Sequence, residues 1–433
     1  MKQTKTFLLG SVASAMLVAG PASAEEIRIL INQSPWLNGF VAMVEEYEDQ
    51  TDNTIELDVT PFGGMLEKTR NSVRGDDGRY DIVALNAAGM AEFYAGGFLK
   101  PLTEIDAEFA LDENVLTFGG STGWNFDTNG FSADGDLLGV PINGNVQVLY
   151  YRTDLYDEAG LTPPETWDDL MANAKALADD NTYGFIPRAS RDSILYNFTS
   201  YLFSHGGSFF ADPSGGDYSV TIASPEGLKA LETYIALGNE AGPPNPGAIA
   251  QAELIQLMST GRAAHAIAVV AAYPVLNDPN SSIVAGKVGT ALIPAAEGEE
   301  HASAAGHWVA AIPKNVTGEK QDAALDFLNW FLSKKQQLFY VQSGGIPVRK
   351  DLSDSAGDNP SFAFLPAFSE NASVSRMNMP LPQGSQISDA ISLFLNQAVI
   401  GELTPTEALN KSADEMHRIL TEAGYTLAEP SKL

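Results

Sequence analysis

The sequence predicts an α/β protein of two lobes. Three observations support this. The chain has 433 residues, too many for one ordinary hydrophobic core. Its first third alternates β-branched runs with amphipathic helical stretches. Its second half repeats that alternation after an irregular interval.

The elements follow in order. Glu26 to Asn32 (EIRILIN) reads as a first strand, and Leu37, Val41, Val44 and Tyr47 recur at helical spacing. Thr54 to Val59 alternates and predicts a second strand; Met65 to Val73 predicts a helix. Tyr80 to Leu85 is apolar almost throughout, a strand buried on both faces, and a helix from Gly89 to Tyr94 closes at Gly96-Gly97. This order is that of a parallel sheet with helical crossovers, which places functional loops at the carboxyl ends of strands. Those loops are Ser34-Pro35-Trp36, Phe62-Gly63-Gly64 and Asn86-Ala87.

Thr103 to Gly139 is glycine-rich and irregular. Gly139 to Ala178 then holds an Asn-rich turn, an apolar run from Val146 to Tyr151, and a short helix ending at Gly160. Pro163-Pro164 stops the chain before a second helix, which starts at Thr166 with Asp169 placed for a capping box. Further on, strands are expected at Tyr183 to Pro187, Ala263 to Val270, Lys287 to Ile293 and His307 to Pro313. Helices are expected at Ser193 to His205, Pro225 to Ala236, Ala250 to Met258, Glu319 to Phe331, Lys334 to Val341, Gln386 to Gly401 and Pro405 to Leu420.

Composition excludes several functions. The first 24 residues read as a signal peptide: basic Lys2 and Lys5, an apolar stretch from Phe7 to Val18, and Ala22-Ser23-Ala24 as cleavage site. Export to the periplasm is expected. With no cysteine, thiol nucleophiles, Cys-ligated metals and a lipoprotein anchor are all excluded. Loss of the two leader lysines takes the net charge from −30 to −32, a surface that repels nucleic acid and anionic lipid. No glycine-rich phosphate cradle follows a strand. Gly119-Gly120-Ser121-Thr122-Gly123 matches G-x-S-x-G but lacks the following helix that a nucleophile elbow needs. The five histidines (His205, His265, His301, His307 and His417) have no zinc spacing, and His265 reads as a satisfied core histidine. No metal, cofactor or catalytic residue is expected.

Several segments together resemble the family 1 extracellular solute-binding proteins, the carbohydrate receptors of ABC importers that include maltose-binding protein. They are Tyr80-Asp81-Ile82-Val83 with Gly96 to Leu102; Leu149-Tyr150-Tyr151-Arg152 with Pro164 to Leu170; Gly306-His307-Trp308 running into Ile312-Pro313-Lys314; Phe327 to Phe331; and Gly401-Glu402 before Pro405 to Leu409. The resemblance spans nearly the whole mature chain. It implies a two-lobed periplasmic binding protein fold (class II-like), each lobe a mainly parallel sheet flanked by helices, with the ligand in the cleft between lobes. Residues 25–140 and 309–344 would form the N-terminal lobe, and 141–308 and 345–433 the C-terminal lobe. Chain crossings are implied near Val140 to Asn145, His307 to Ala310 and Gly344 to Pro347. Where the family often has Gly-Gly-Trp, this chain has Gly306-His307-Trp308, and amides stand where the family often has Asp.

A sugar or polyol presents apolar faces and a rim of hydroxyls, so a receptor needs aromatic plates and groups that donate and accept. The expected plates are Trp36, Phe62, Tyr273 and Trp308; the expected polar rim is Asn86, Asn143, Asn145, His307 and Arg376. The expected function is a monomeric, non-enzymatic receptor that closes on a sugar or polyol and delivers it to inner-membrane permease subunits. A secreted glycan hydrolase and a receptor for a non-sugar solute are the alternatives. The first would need paired carboxylates in the cleft, the second clustered charge.

Overall fold

The computed structural model describes residues 24–433 except 76–77, 88 and 353–358. The expected signal peptide, except Ala24, lies outside the described residues. The chain begins β1 (Glu26–Asn32), α1 (Leu37–Gln50), β2 (Thr54–Thr60), α2 (Phe62–Arg74), β3 (Ile82–Asn86) and α3 (Met90–Ala95). The apolar runs form the strands, and the helical periodicity sets the buried face of α1: Phe40, Met43, Val44 and Tyr47. The interval expected to be irregular contains a small sheet of β4 (Gly123–Asn125), β5 (Gly130–Phe131) and β6 (Asp136–Leu137). Trp124 on β4 is fully buried, edge-on to Tyr94 and Phe131.

Next come β7 (Val140–Asn143), β8 (Gln147–Arg152), α4 (Thr153–Ala159), α5 (Trp167–Leu177), α6 (Ile194–Ser204), β9 (Phe210–Asp212), β10 (Asp217–Val220), α7 (Pro225–Ala241), α8 (Gln251–Ser259), β11 (His265–Val269), α9 (Tyr273–Asn277), β12 (Val288–Ala291) and β13 (Ser303–Ala304). The capping box at α5 is formed: Asp169 N–H donates to Thr166 Oγ1 at 3.1 Å, and Thr166 N–H to Asp169 Oδ2 at 3.1 Å. The chain then returns through β14 (Trp308–Ala311), α10 (Glu319–Phe331) and α11 (Lys334–Gln342), and ends with α12 (Leu365–Ser373), β15 (Ser375–Arg376), α13 (Gly384–Val399) and α14 (Pro405–Glu422).

The first sheet has the order β2-β1-β3-β14-β7. β1 pairs parallel with β2 and β3, while β14 runs antiparallel to both β3 and β7. The second sheet, β11-β8-β12, corrects the expectation of mainly parallel strands there: both of its pairings are antiparallel. Tyr183 and Ile186 add parallel bridges to Ala263 and Ala266 rather than a full strand. Around the first sheet, Phe40, Phe327 and Phe331 make a buried aromatic group. On the far side of the second sheet, Trp167, Phe198, Tyr201, Tyr234, Ile391 and Met416 form a separate core.

Sheet membership moves three expected lobe limits, one of them only by Trp308, which opens β14 in the first sheet. Pro141 to Asn143 pair in the first sheet, not the second. After Gly345 the chain stays with first-lobe residues: Leu116 N–H donates to Val348 O at 2.8 Å and Lys350 N–H to Asn114 O at 2.9 Å. The second lobe regains the chain at Tyr273, whose hydroxyl donates to Pro360 O, and at Asn371, which accepts from Ile293 N–H.

Three segments run side by side between the sheets. Gly306 N–H donates to Asn145 O at 2.9 Å, Val146 bridges Ala305, and Gly144 N–H donates to Ile346 O at 3.3 Å. Among the described residues no helix is long and apolar enough to cross a membrane. At α14, Thr404 and Glu407 form a second capping box. Thr404→Ala is expected to lower unfolding free energy by about 1 kcal/mol, read by urea denaturation.

Candidate functional site

The strand ends of the first sheet point toward the three connecting segments. Asn32 closes β1, Trp36 precedes α1, Asn86 closes β3, Asn143 closes β7, and Trp308 opens β14 between Asn86 and Asn143. Trp36 and Trp308 lie against each other with ring centroids 6.0 Å apart and planes tilted by 53°. Both are buried.

Polar atoms here are sequestered without partners. Trp36 Nε1, Asn32 Oδ1 and His307 Nδ1 are shielded from solvent and complete no hydrogen bond among the described residues; Asn143 Nδ2 and Tyr340 Oη are shielded too, and lie near one another without hydrogen-bond geometry. Such atoms carry a desolvation cost of about 1–3 kcal/mol each, so their occurrence at the connections calls for a physical reason. Burial pushes the Tyr340 phenol pKa well up, opposed by the nearby Asn143 amide.

His307 immediately precedes β14. Its ring stacks on Phe118 at 4.4 Å and 9°, and Nε2 lies 2.6 Å from Ser121 Oγ. Burial pulls its pKa down to about 3, so the imidazole is neutral at physiological pH.

The second lobe contributes Arg188 and Tyr196. The chain carrying Arg188 runs parallel to β11 from the Ile186–Ala266 bridge toward the end at which Val270 N–H donates to Val146 O, so Arg188 reaches the edge nearest the connections. The residue keeps some exposure, yet its Nε and Nη1 are shielded and unpartnered. Its guanidinium lies 5.4 Å from the Tyr196 ring centroid. Desolvation lowers the Arg188 pKa, but a guanidinium stays charged. Tyr196 Oη donates to Ala304 O at 3.3 Å, and a Cβ on Gly306 would stand 2.2 Å from Tyr196 Oη. Glycine at 306 is what lets Tyr196 approach.

The expected residues fare differently. Trp36, Asn143, His307 and Trp308 come together. Asn86 is beside them, with Oδ1 accepting Gly89 N–H at 3.0 Å to start α3. Asn145 links connection to lobe: its Oδ1 accepts Ala271 N–H and its own N–H donates to Asn143 Oδ1. Two expectations are corrected. Tyr273 packs on Phe364 and its hydroxyl is bound to Pro360 O, so it ties the second lobe to its C-terminal segment. Arg376 is exposed, 4.5 Å over the Phe203 ring, with Nη2 on Phe203 O, because β15 pairs with β13 and turns the side chain toward the end of α6. The Phe62 side chain lies outside the described residues.

Asn32, Arg188, Tyr196 and Tyr340 were not among the expected residues. The strand-end rule reaches two of them: Asn32 ends EIRILIN, and Arg188 follows the Tyr183 to Pro187 run. Nothing local marks Tyr340. His265 is a satisfied core histidine, with Nδ1 2.6 Å from Gly184 O and Nε2 2.5 Å from Tyr156 Oη. Among the described residues, no acidic or histidine cluster could hold a metal, and no carboxylate oxygen is buried without a partner.

Comparison with known proteins agrees with this architecture. Residues 33–338 match the family model described as bacterial extracellular solute-binding protein. The mannitol-binding protein of Pseudomonas aeruginosa is 23% identical over 404 residues, covering 87% of this chain and 89% of that protein. The erythritol/L-threitol-binding protein of Mycolicibacterium smegmatis is 23% identical over 351 residues, covering 77% and 72%. An ABC transporter solute-binding protein from Agrobacterium radiobacter, solved with ribitol, superposes with a TM-score of 0.79 at 23% identity, covering 92% of this chain and 100% of that one. A match across most of the chain, on a fold with three connections between two sheets, places the protein in a family: it belongs to the bacterial extracellular solute-binding proteins.

Proposed function

We propose that this protein is the periplasmic substrate-binding component of an ABC importer, and that it closes its lobes on a neutral sugar or polyol. The observation that carries this reading is the mixture of orphaned atoms at the connections. Trp36 Nε1, Asn143 Nδ2 and the Arg188 nitrogens donate; Asn32 Oδ1 accepts; Tyr340 Oη does either. A hydroxyl also does both. An anion would leave Asn32 Oδ1 without a donor. The Trp36–Trp308 pair supplies an apolar surface for C–H faces. The named ligands of the relatives, mannitol and erythritol or L-threitol, belong to the same chemical class.

Closure would be selected by contacts to both lobes at once. The protein acts as a monomer, binds no nucleic acid and does no covalent chemistry. The Ser121–His307 pair resembles a nucleophile and base, but an imidazole pulled down to about 3 is a poor base, and no carboxylate orients its Nδ1.

A thermal-shift screen over alditols, monosaccharides and disaccharides tests the reading. A true ligand at 100 times its Kd adds about 2.7 kcal/mol to stability. No shift from any of these, with a shift from an amino acid, polyamine or organic anion, would overturn the ligand class. Trp308→Ala is expected to weaken the ligand found by roughly tenfold or more while the protein remains folded; unchanged affinity in a titration would remove Trp308 from the site.

A further inference from the structure

The G-x-S-x-G segment is left without a role by the absence of nucleophilic chemistry, yet the chain maintains it at a conformational cost. Phe118, Gly119 and Gly120 are three successive residues in the left-handed region, with φ of 47°, 76° and 82°. For a bulky aromatic this is a genuine outlier, worth of order 1–3 kcal/mol. The result is a turn that lays the Phe118 ring flat on His307 and delivers the fully buried Ser121 to its far nitrogen.

Ser121 has one hydroxyl proton and two neighbours. Its Oγ donates to Thr117 O at 3.0 Å. With that proton on Thr117 O, a lone pair of Oγ faces His307 Nε2 at 2.6 Å and Nε2 carries the ring proton; the opposite arrangement, Oγ–H donating to Nε2, would leave a buried Nδ1–H donor with no acceptor, the costlier orphan. A neutral imidazole has one N–H, so Nδ1 is then a bare acceptor. Nδ1 is the nitrogen next to Cγ, nearest the backbone of the connection, where His307 O accepts Ala87 N–H. It is shielded and unpartnered.

We infer that Ser121 is a positioning residue that locks His307 as the Nε2–H tautomer, so that Nδ1 accepts a hydrogen bond from a ligand hydroxyl and refuses a carbonyl or carboxylate at the same place. This rests on the proposed reading that the connections face a hydroxylated ligand. The lock decides the sign of one contact: the flipped tautomer would add another donor to a site already rich in them.

Ring ¹⁵N NMR of the ligand-free mature protein is the first test, with the His307 signals assigned by their loss in His307→Asn. The expected wild-type pattern is protonated Nε2 and unprotonated Nδ1. Ser121→Ala should give a mixture of tautomers, and Ser121→Cys, which keeps a weak acceptor, an intermediate pattern. Affinities for D-mannitol and ribitol form the second test. Ser121→Ala should weaken the better of the two about tenfold. The same change made in His307→Asn should alter nothing, since asparagine carries its own amide to the Nδ1 position. A protonated Nδ1 in wild type, or an unchanged tautomer in Ser121→Ala, overturns the lock. An altered tautomer with unaltered affinity overturns its role toward the ligand. If neither polyol binds wild type, affinity is read with the sugar or polyol that the thermal-shift screen finds, and the NMR result decides the lock in either case.

Discussion

Arg188→Met is expected to weaken ligand binding by roughly a hundredfold or more and to leave the ligand-free protein at least as stable as wild type. The two effects have opposite signs for one reason. Without ligand, Nε and Nη1 of Arg188 are removed from water and bonded to nothing. Desolvating part of a charge without pairing it is unfavourable, and replacing it by an apolar side chain of similar length is neutral or stabilising. On the proposed reading, the same two nitrogens would make charge-assisted hydrogen bonds to the ligand, each worth about 1.5 kcal/mol or more. Two of them amount to about 3 kcal/mol, or two decades in Kd. Calorimetric titration with the ligand found by screening, paired with urea denaturation of the ligand-free protein, reads both. Loss of stability at unchanged affinity would make Arg188 a structural residue held by its Tyr196 contact.

Gly144→Ala is expected to destabilise the protein by about 1–3 kcal/mol, although alanine is otherwise a benign replacement. Gly144 lies in the first connection, and a Cβ there would stand 2.0 Å from Pro347 O and 3.0 Å from Phe368 Cζ. The clash is with backbone, on a proline, so neither side can yield by changing rotamer. Ile346 O already accepts Gly144 N–H, which fixes the two connections at that spacing. Relief requires the connections to part, so the variant should also show a larger radius of gyration by small-angle scattering in the presence of ligand. An unchanged denaturation midpoint would mean that the connections are looser than their hydrogen bonds imply.

The first-lobe order was legible because each of its elements carries its own signal. EIRILIN is a strand by β-branching, Leu37 to Tyr47 a helix by period, and Thr166 with Asp169 a helix start by a bond three residues long. The direction of β8, β11 and β12 was not legible, since an apolar run states burial and not the sense of its neighbour. The strand-end rule puts Trp36, Asn143, His307 and Trp308 at strand ends or connections, and the structure places them together there.

Tyr273 and Arg376 could not be judged in the same way. What decides them is a partner distant in sequence: Pro360 and Phe364 for the first, Phe203 for the second. The same is true in reverse for Asn32, Arg188 and Tyr340, whose relevance is that Oδ1, Nε with Nη1, and Oη respectively complete no hydrogen bond. The sequence alone determined the class of the fold, the order of most of its elements and the family to which it is similar, because backbone preference and hydrophobic period are local. Only the tertiary structure decided which polar atoms are left unsatisfied where the lobes meet, because hydrogen-bond satisfaction is a property of the whole folded chain.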